Sequence, residues 1–208
     1  MIIKIVVATI IVLGQAGLVA ATPVQPDPLE VKYTQTLETR AADILHSLVL
    51  ANPDQSRNVH DLIITHYRIL KAWHTTNDAS LKSSDTNEVT ITRAKLLNIH
   101  ADFIAQLATQ LSPGQIEIVK DKMTYGKVLF TFNGYMAAYP HLGESDQQLI
   151  LDMLKQAREE AMECGSANEK SAVFKKFKGR INNYLSNHGV HPDKKMVATS
   201  TNALPDKN

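Results

Sequence analysis

The chain has one cysteine, Cys164, in 208 residues. An internal disulfide is therefore excluded, and the fold must be held by packing. Charge of either sign is not in excess: the formal net charge is +1. That balance argues against a nucleic-acid partner or an anionic membrane surface. Aromatic residues are sparse at 6%, with a single tryptophan. No Gly-x-Ser-x-Gly, Walker A or dinucleotide fingerprint occurs, so the common nucleophile and phosphate motifs are missing. Eight histidines are present, but none forms His-x-x-x-His or His-Glu-x-x-His. Gly189 interrupts the pair His188 and His191, so we expect no metal and no cofactor. Cys164 reads as a small buried hydrophobe.

Long apolar runs are confined to the start. Residues 1–21 read as a secretory signal, with Lys4 in the charged region, a short apolar core, and Val19-Ala20-Ala21 before the cleavage point. The run is shorter than the ~20 apolar residues of a span, so no stable membrane anchor is expected. A periplasmic or secreted location follows. Residues 22–30 carry Pro23, Pro26 and Pro28 and read as an extended leader. Residues 191–208 are polar and aperiodic and read as a disordered tail.

Between these ends, over 31–190, the text is helix-periodic. Leu37, Ala41, Ile44, Leu45 and Leu48 mark a first helix, closed by Asn52-Pro53. Val59, Leu62, Ile63, Tyr67, Leu70 and Trp73 mark a second. Residues 75–86, rich in Ser, Thr, Asn and Asp, read as a loop. Leu97, Ala101, Ile104, Leu107, Ala108 and Leu111 mark a third helix. Ser112-Pro113-Gly114-Gln115 predicts a capped start with Ser112 and Gln115 as a capping box. The β-branched and aromatic stretch 128–132 predicts an irregular crossing, followed by a short helix over 133–138 and a stop at Pro140. Leu149, Ile150, Met153, Leu154, Ala157 and Ala161 stripe the next helix, which Gly165 should end. Ser166 with Glu169 predicts a second capping box, opening a helix that buries Phe174, Phe177, Ile181, Tyr184 and Leu185. The fold class is all-α: a single bundle of about six helices with one irregular crossing.

Polar groups inside apolar periodic text mark the candidate site. Lys176, Arg180 and Tyr184 are spaced i, i+4, i+8 and share a face, with Asn182 and Asn183 beside them. Gly179, in a helix interior, suggests close approach by another backbone or a ligand. Arg180 fits an anion clamp with amide and phenol partners. Arg158 lies between Ala157 and Ala161, where small neighbours let its side chain lie flat. Asp121 and Tyr125 are four apart; Asp121 reads first as half of a structural ion pair with Arg158 or Arg180, and second as a general base near Tyr125. The ligand-binding set is thus Tyr125, Arg158, Lys176, Arg180, Asn182, Asn183 and Tyr184. Trp73, Tyr67, Tyr125, Tyr135 and Tyr139 read as core before they read as a sugar platform.

These motifs resemble one family. Val119-Lys120-Asp121, Met123-Thr124-Tyr125-Gly126, Gly134-Tyr135, Pro140, Ala157-Arg158-Glu159, Ala161-Met162, Gly165-Ser166 and Lys178-Gly179-Arg180-Ile181-Asn182-Asn183-Tyr184-Leu185 are similar to the exported bacterial family termed domain of unknown function 3826. Tyr67-Arg68, Leu70 and His74 fit more loosely. The resemblance spans roughly residues 31–189. Phe132 and Phe177 stand where tyrosine is expected, and Cys164 where a polar residue is expected. The family carries no established activity. Its members keep company with plant-polysaccharide degradation systems, which implies an accessory carbohydrate-binding role. Two other readings stay open. One is a hydrolase or lyase on an acidic sugar, with Asp121, Glu159, Tyr125 or Tyr184 as acid and base. The other is a periplasmic helical chaperone, from Leu111-Ser112-Pro113 with Gln115.

Overall fold

The computed structural model describes residues 27–193. The expected signal segment lies outside the described residues, as does most of the expected tail; of the leader expected over 22–30, residues 28–30 instead form the first turn of a helix, since Asp27 caps it and Pro28 suits its first position. Seven helices and no strand occur among the described residues: α1 (Pro28–Leu48), α2 (Pro53–Leu81), α3 (Thr86–Ala108), α4 (Pro113–Met123), α5 (Lys127–Ala138), α6 (Glu144–Met162) and α7 (Ala167–Asn187). None is long and apolar enough to cross a membrane.

Short polar side chains fix most of the starts. Asp27, Asn52, Asp85, Ser112 and Ser166 each accept from first-turn amides, satisfying donors that no helical carbonyl can reach. Both predicted capping boxes form, Ser112 with Gln115 and Ser166 with Glu169. Asn52, expected to close the first helix, instead opens α2. Helix α6 ends at Met162, before Gly165.

The helices wrap two cores. Leu37, Ile44, Val59, Ile63, Phe103, Leu107, Val119 and Met123 from α1–α4 form the first, which also takes Met162 from the end of α6. Val128, Tyr135, Ile150, Leu154, Phe174, Phe177, Ile181 and Leu185 from α5–α7 form the second. Helix α4 packs on α1 and also on α6, so the halves meet along α4, the end of α6 and the start of α7.

Two expectations fail for a packing reason, and a third holds only in part. The predicted loop 75–86 is helical through Leu81. There Thr75, Thr76 and Asn77 turn their side chains back onto the carbonyls four residues earlier, so polar residues extend the helix while α3 packs alongside. The predicted crossing is the regular helix α5. Val128 and Tyr135, seven residues apart, share its buried face, and that burial overrides β propensity. In α3 the inward face is Thr92, Leu96, Phe103 and Leu107; of the predicted stripe Leu107 is buried, as is Leu111 just beyond the helix, whereas Leu97 is 49% exposed.

Candidate functional site

Helix α7 buries Lys170, Phe174, Phe177, Ile181 and Leu185, a single stripe at i, i+4, i+7 spacing. Lys170 therefore occupies a core position one turn after the Ser166 cap and is only 3% exposed. Its Nζ donates to the Met123 carbonyl at 3.0 Å. That carbonyl belongs to the last turn of α4, where acceptors are left over. No carboxylate lies within ion-pair distance of Lys170 among the described residues. Burial pulls its ammonium down to about 8, opposed by Cys164 and helped, to a smaller extent, by Arg40.

Above Lys170 is a partly enclosed cavity of about 100 Å³. Helix α1 contributes Tyr33 and Arg40, α2 contributes Tyr67, Leu70 and Lys71, and the approach to α7 contributes residues 164–167. Tyr125 completes it. The Arg40 guanidinium lies 5.6 Å from the Tyr67 ring centre, and Lys170 Nζ lies 5.8 Å from it. Like Lys170, Arg40 pairs with no acid among the described residues. Lys71 does, with Glu30 at 3.3 Å, and also sits 3.7 Å over the Tyr33 ring. Burial pushes the Tyr67 phenol up to about 12, so it stays protonated. The Cys164 thiol, also raised by burial, to about 11, stays neutral.

Tyr125 reaches the cavity through an unusual backbone. Helix α4 closes with the Gly126 amide donating to the Asp121 carbonyl at 2.8 Å, a Schellman-type reversal. In that reversal Tyr125 has φ +62°, and Gly126 follows at +64°. A tyrosine in the left-handed region is strained by about 1–2 kcal/mol. The side chain is 48% exposed at the mouth.

The other sequence-predicted residues are placed elsewhere. Arg158 is 4% exposed at its side chain and inserted among carboxylates. It donates to Asp121 at 2.7 Å, Glu117 at 2.5 Å and Glu159 at 3.1 Å. Desolvation lowers its pKa, but the hydrogen bonds to Asp121 and Glu117 outweigh that and leave it raised. Glu159 also takes Lys120 at 3.1 Å and His100 at 3.3 Å. Burial alone would raise its carboxyl; His100, Lys120 and Arg158 instead hold it at about 2. Lys176 pairs with Glu160 at 3.1 Å. Arg180 is exposed and stacks on Phe177, 4.8 Å to the ring centre. Asn182 accepts the Tyr135 hydroxyl at 2.8 Å, Tyr184 donates to Asp146 at 2.8 Å, and Asn183 is exposed. These α7 residues are thus spread around the helix, with Tyr184 half-buried against the second core, and of the predicted set Tyr125 lines the Lys170 cavity. Gly179 meets open space, not the close approach expected of it.

A wider groove of about 320 Å³ is lined by His74, Asp78, Arg93, Glu160, Glu163 and Lys176, among others. It mixes both signs and holds the Lys176–Glu160 pair. Among the described residues, no group of three or more His, Cys, Asp or Glu is placed to hold a metal ion.

Sequence reasoning missed Arg40 and Lys170. Lys170 was legible: it lies four residues before Phe174 and seven before Phe177, in the buried phase of α7. Arg40 gave no such signal, since it flanks the apolar stripe of α1 as any surface cation would.

No curated protein matches the chain. A family model does, over residues 34–200, and that span includes Arg40, Tyr67, Tyr125 and Lys170. The chain belongs to the family described as Protein of unknown function (DUF3826).

Proposed function

We propose that the protein binds an acidic sugar through its carboxylate, seated in the cavity between Arg40 and Lys170, as an accessory to polysaccharide breakdown outside the cytoplasm. One observation carries the reading: two cations converge on one cavity and neither has an acidic partner among the described residues. An unpaired buried charge is costly, and an incoming anion removes that cost. The cavity is too small for a sugar chain but has room for a carboxylate and the atoms next to it. Tyr125, half exposed at the mouth, offers a face for the ring outside, and Leu129 and Phe130 are exposed just after it. The signal-like start and the resemblance to a family found beside polysaccharide-degrading systems favour a sugar as the bearer of that carboxylate.

Calorimetric titration with galacturonate and glucuronate, against galactose and glucose, tests this. The uronates should bind and the neutral sugars should not. Arg40→Ala and Lys170→Met should each weaken uronate binding by about ten- to a hundredfold, the worth of a charge-assisted hydrogen bond. Arg180→Ala should leave it unchanged. Equal affinity for neutral and acidic sugars, or indifference to Arg40→Ala, would sink the reading.

A further inference from the structure

We propose that Lys170 is also a carbonyl-reactive amine, whose Nζ forms an imine with a small 2-oxo acid held at its carboxylate by Arg40. The inference rests on the carboxylate-binding reading of the same cavity and adds covalent chemistry to it.

A lysine that only holds a fold together is paired with an acid or carries its charge into water. Lys170 does neither. It is more than nine-tenths buried, its one hydrogen bond goes to the Met123 carbonyl, and the cavity around it is lined by three tyrosines, Leu70 and Ala167 together with Arg40, Lys71 and Cys164. Desolvation and a neighbouring cation are the two environments that turn a lysine into a nucleophile, and both are present. Arg40 supplies the second cation and is at the same time an anchor for an anion. The amine, pulled down to about 8 by burial, is partly unprotonated at neutral pH. With one N–H held by Met123, its lone pair and remaining hydrogen are left for the cavity. A volume of about 100 Å³ suits a molecule of a few heavy atoms. An oxo acid meets both demands, with a carboxylate for Arg40 and an electrophilic carbon beside it for Lys170.

The step balances without an oxidant or reductant. The lone pair of Nζ attacks the carbonyl carbon, forming the C–N bond, and the C=O π electrons move to oxygen. The nitrogen loses a proton and the oxygen gains one, giving a carbinolamine. The C–O bond then breaks, oxygen leaves as water after taking up a proton, and the nitrogen lone pair forms C=N. The product of that step is the iminium, which returns its remaining N–H proton to solvent to give the imine, so that amine plus carbonyl yields imine plus water.

Incubating the protein with pyruvate and sodium cyanoborohydride, then mapping peptides by mass spectrometry, provides the test. The expected result is one reduced adduct, on Lys170, formed faster as pH rises toward about 8. It should be absent from Lys170→Arg and at least tenfold slower in Arg40→Ala. On the unmodified protein it should be suppressed by the methyl glycoside of galacturonic acid, which has the carboxylate but no free carbonyl; this arm needs no variant to fold. Adducts scattered over exposed lysines, or undiminished by the glycoside, overturn the proposal. Glycoside binding with no adduct on Lys170 overturns the imine and leaves carboxylate binding standing. Failure of both overturns both.

Discussion

Tyr125 sits in a conformation that glycine would adopt without strain, and the glycine stands one position later. Strain of this kind persists where something compensates for it, and here the strained residue lines the cavity. Replacing it separates stability from binding. Tyr125→Gly should raise the chemical-denaturation midpoint, a gain of ~1 kcal/mol from relieved strain, partly offset by the freer unfolded chain. The same variant should weaken uronate affinity. Stability and affinity falling together would mean that the tyrosine serves packing alone. At this scale the sequence was informative about residue type and less so about direction. It singled out Tyr125, Asp121 and Arg158 as polar groups in apolar text. Whether an arginine ends in a pocket or among carboxylates depends on α4 and α6 meeting, and local spacing does not encode that.

Two glycines, one inside helix α7 and one just before it, have opposite meanings. Gly179 lies in its interior, exposed, with open space where a Cβ would go. Gly179→Ala should therefore stabilise, by roughly 0.5–1 kcal/mol from propensity. Gly165, just before the cap, would place a Cβ 3.0 Å from the His74 ring. That ring is pinned by Asp78 at 2.6 Å and the Glu163 carbonyl at 2.7 Å, so it has little room to retreat. Gly165→Ala should destabilise by about 1–2 kcal/mol. Thermal melts of the two variants side by side give the signs. Elements were the most legible level, because caps and buried stripes are local: Ser112, Ser166 and the α6 and α7 faces fell where spacing put them. The errors in α2 and α5 have one origin. Polar or β-branched composition set the expectation, whereas contact with a neighbouring helix set the outcome.

For the whole molecule, the buried network predicts acid sensitivity. His66 is 3% exposed, stacked on Phe103 at 3.8 Å, and its Nε2 has no partner. Burial holds its pKa at about 3, against an ordinary 6.5, with smaller contributions from His100 and Lys170. Between those values the unfolded chain binds a proton that the folded chain refuses, so stability is full above 6.5 and falls as pH drops toward 3. By pH 4.5 the loss is roughly 2–3 kcal/mol. Below 4.5 Glu159, held at about 2, adds a further loss of the same sign. Calorimetric melts from neutral to acid pH should show the early limb, and His66→Leu should flatten it between 6.5 and 4.5. An unchanged early limb in that variant would assign it to other groups. The all-α bundle was legible at this scale, but its division into two cores was not, because periodicity gives a helix its buried face without saying which other helix that face meets.

That division bears on the cavity. Arg40 belongs to a helix of the first core and Lys170 to a helix of the second. A ligand touching both cations spans the joint between the halves, so its binding and their docking are thermodynamically linked. By reciprocity, whatever loosens the joint weakens the ligand by the same factor that the ligand tightens the joint. Met162, packed in the first core from the end of α6, and Arg158, tying α6 to α4, can then tune affinity without lining the cavity. Occupancy would be felt as stiffness along the whole joint.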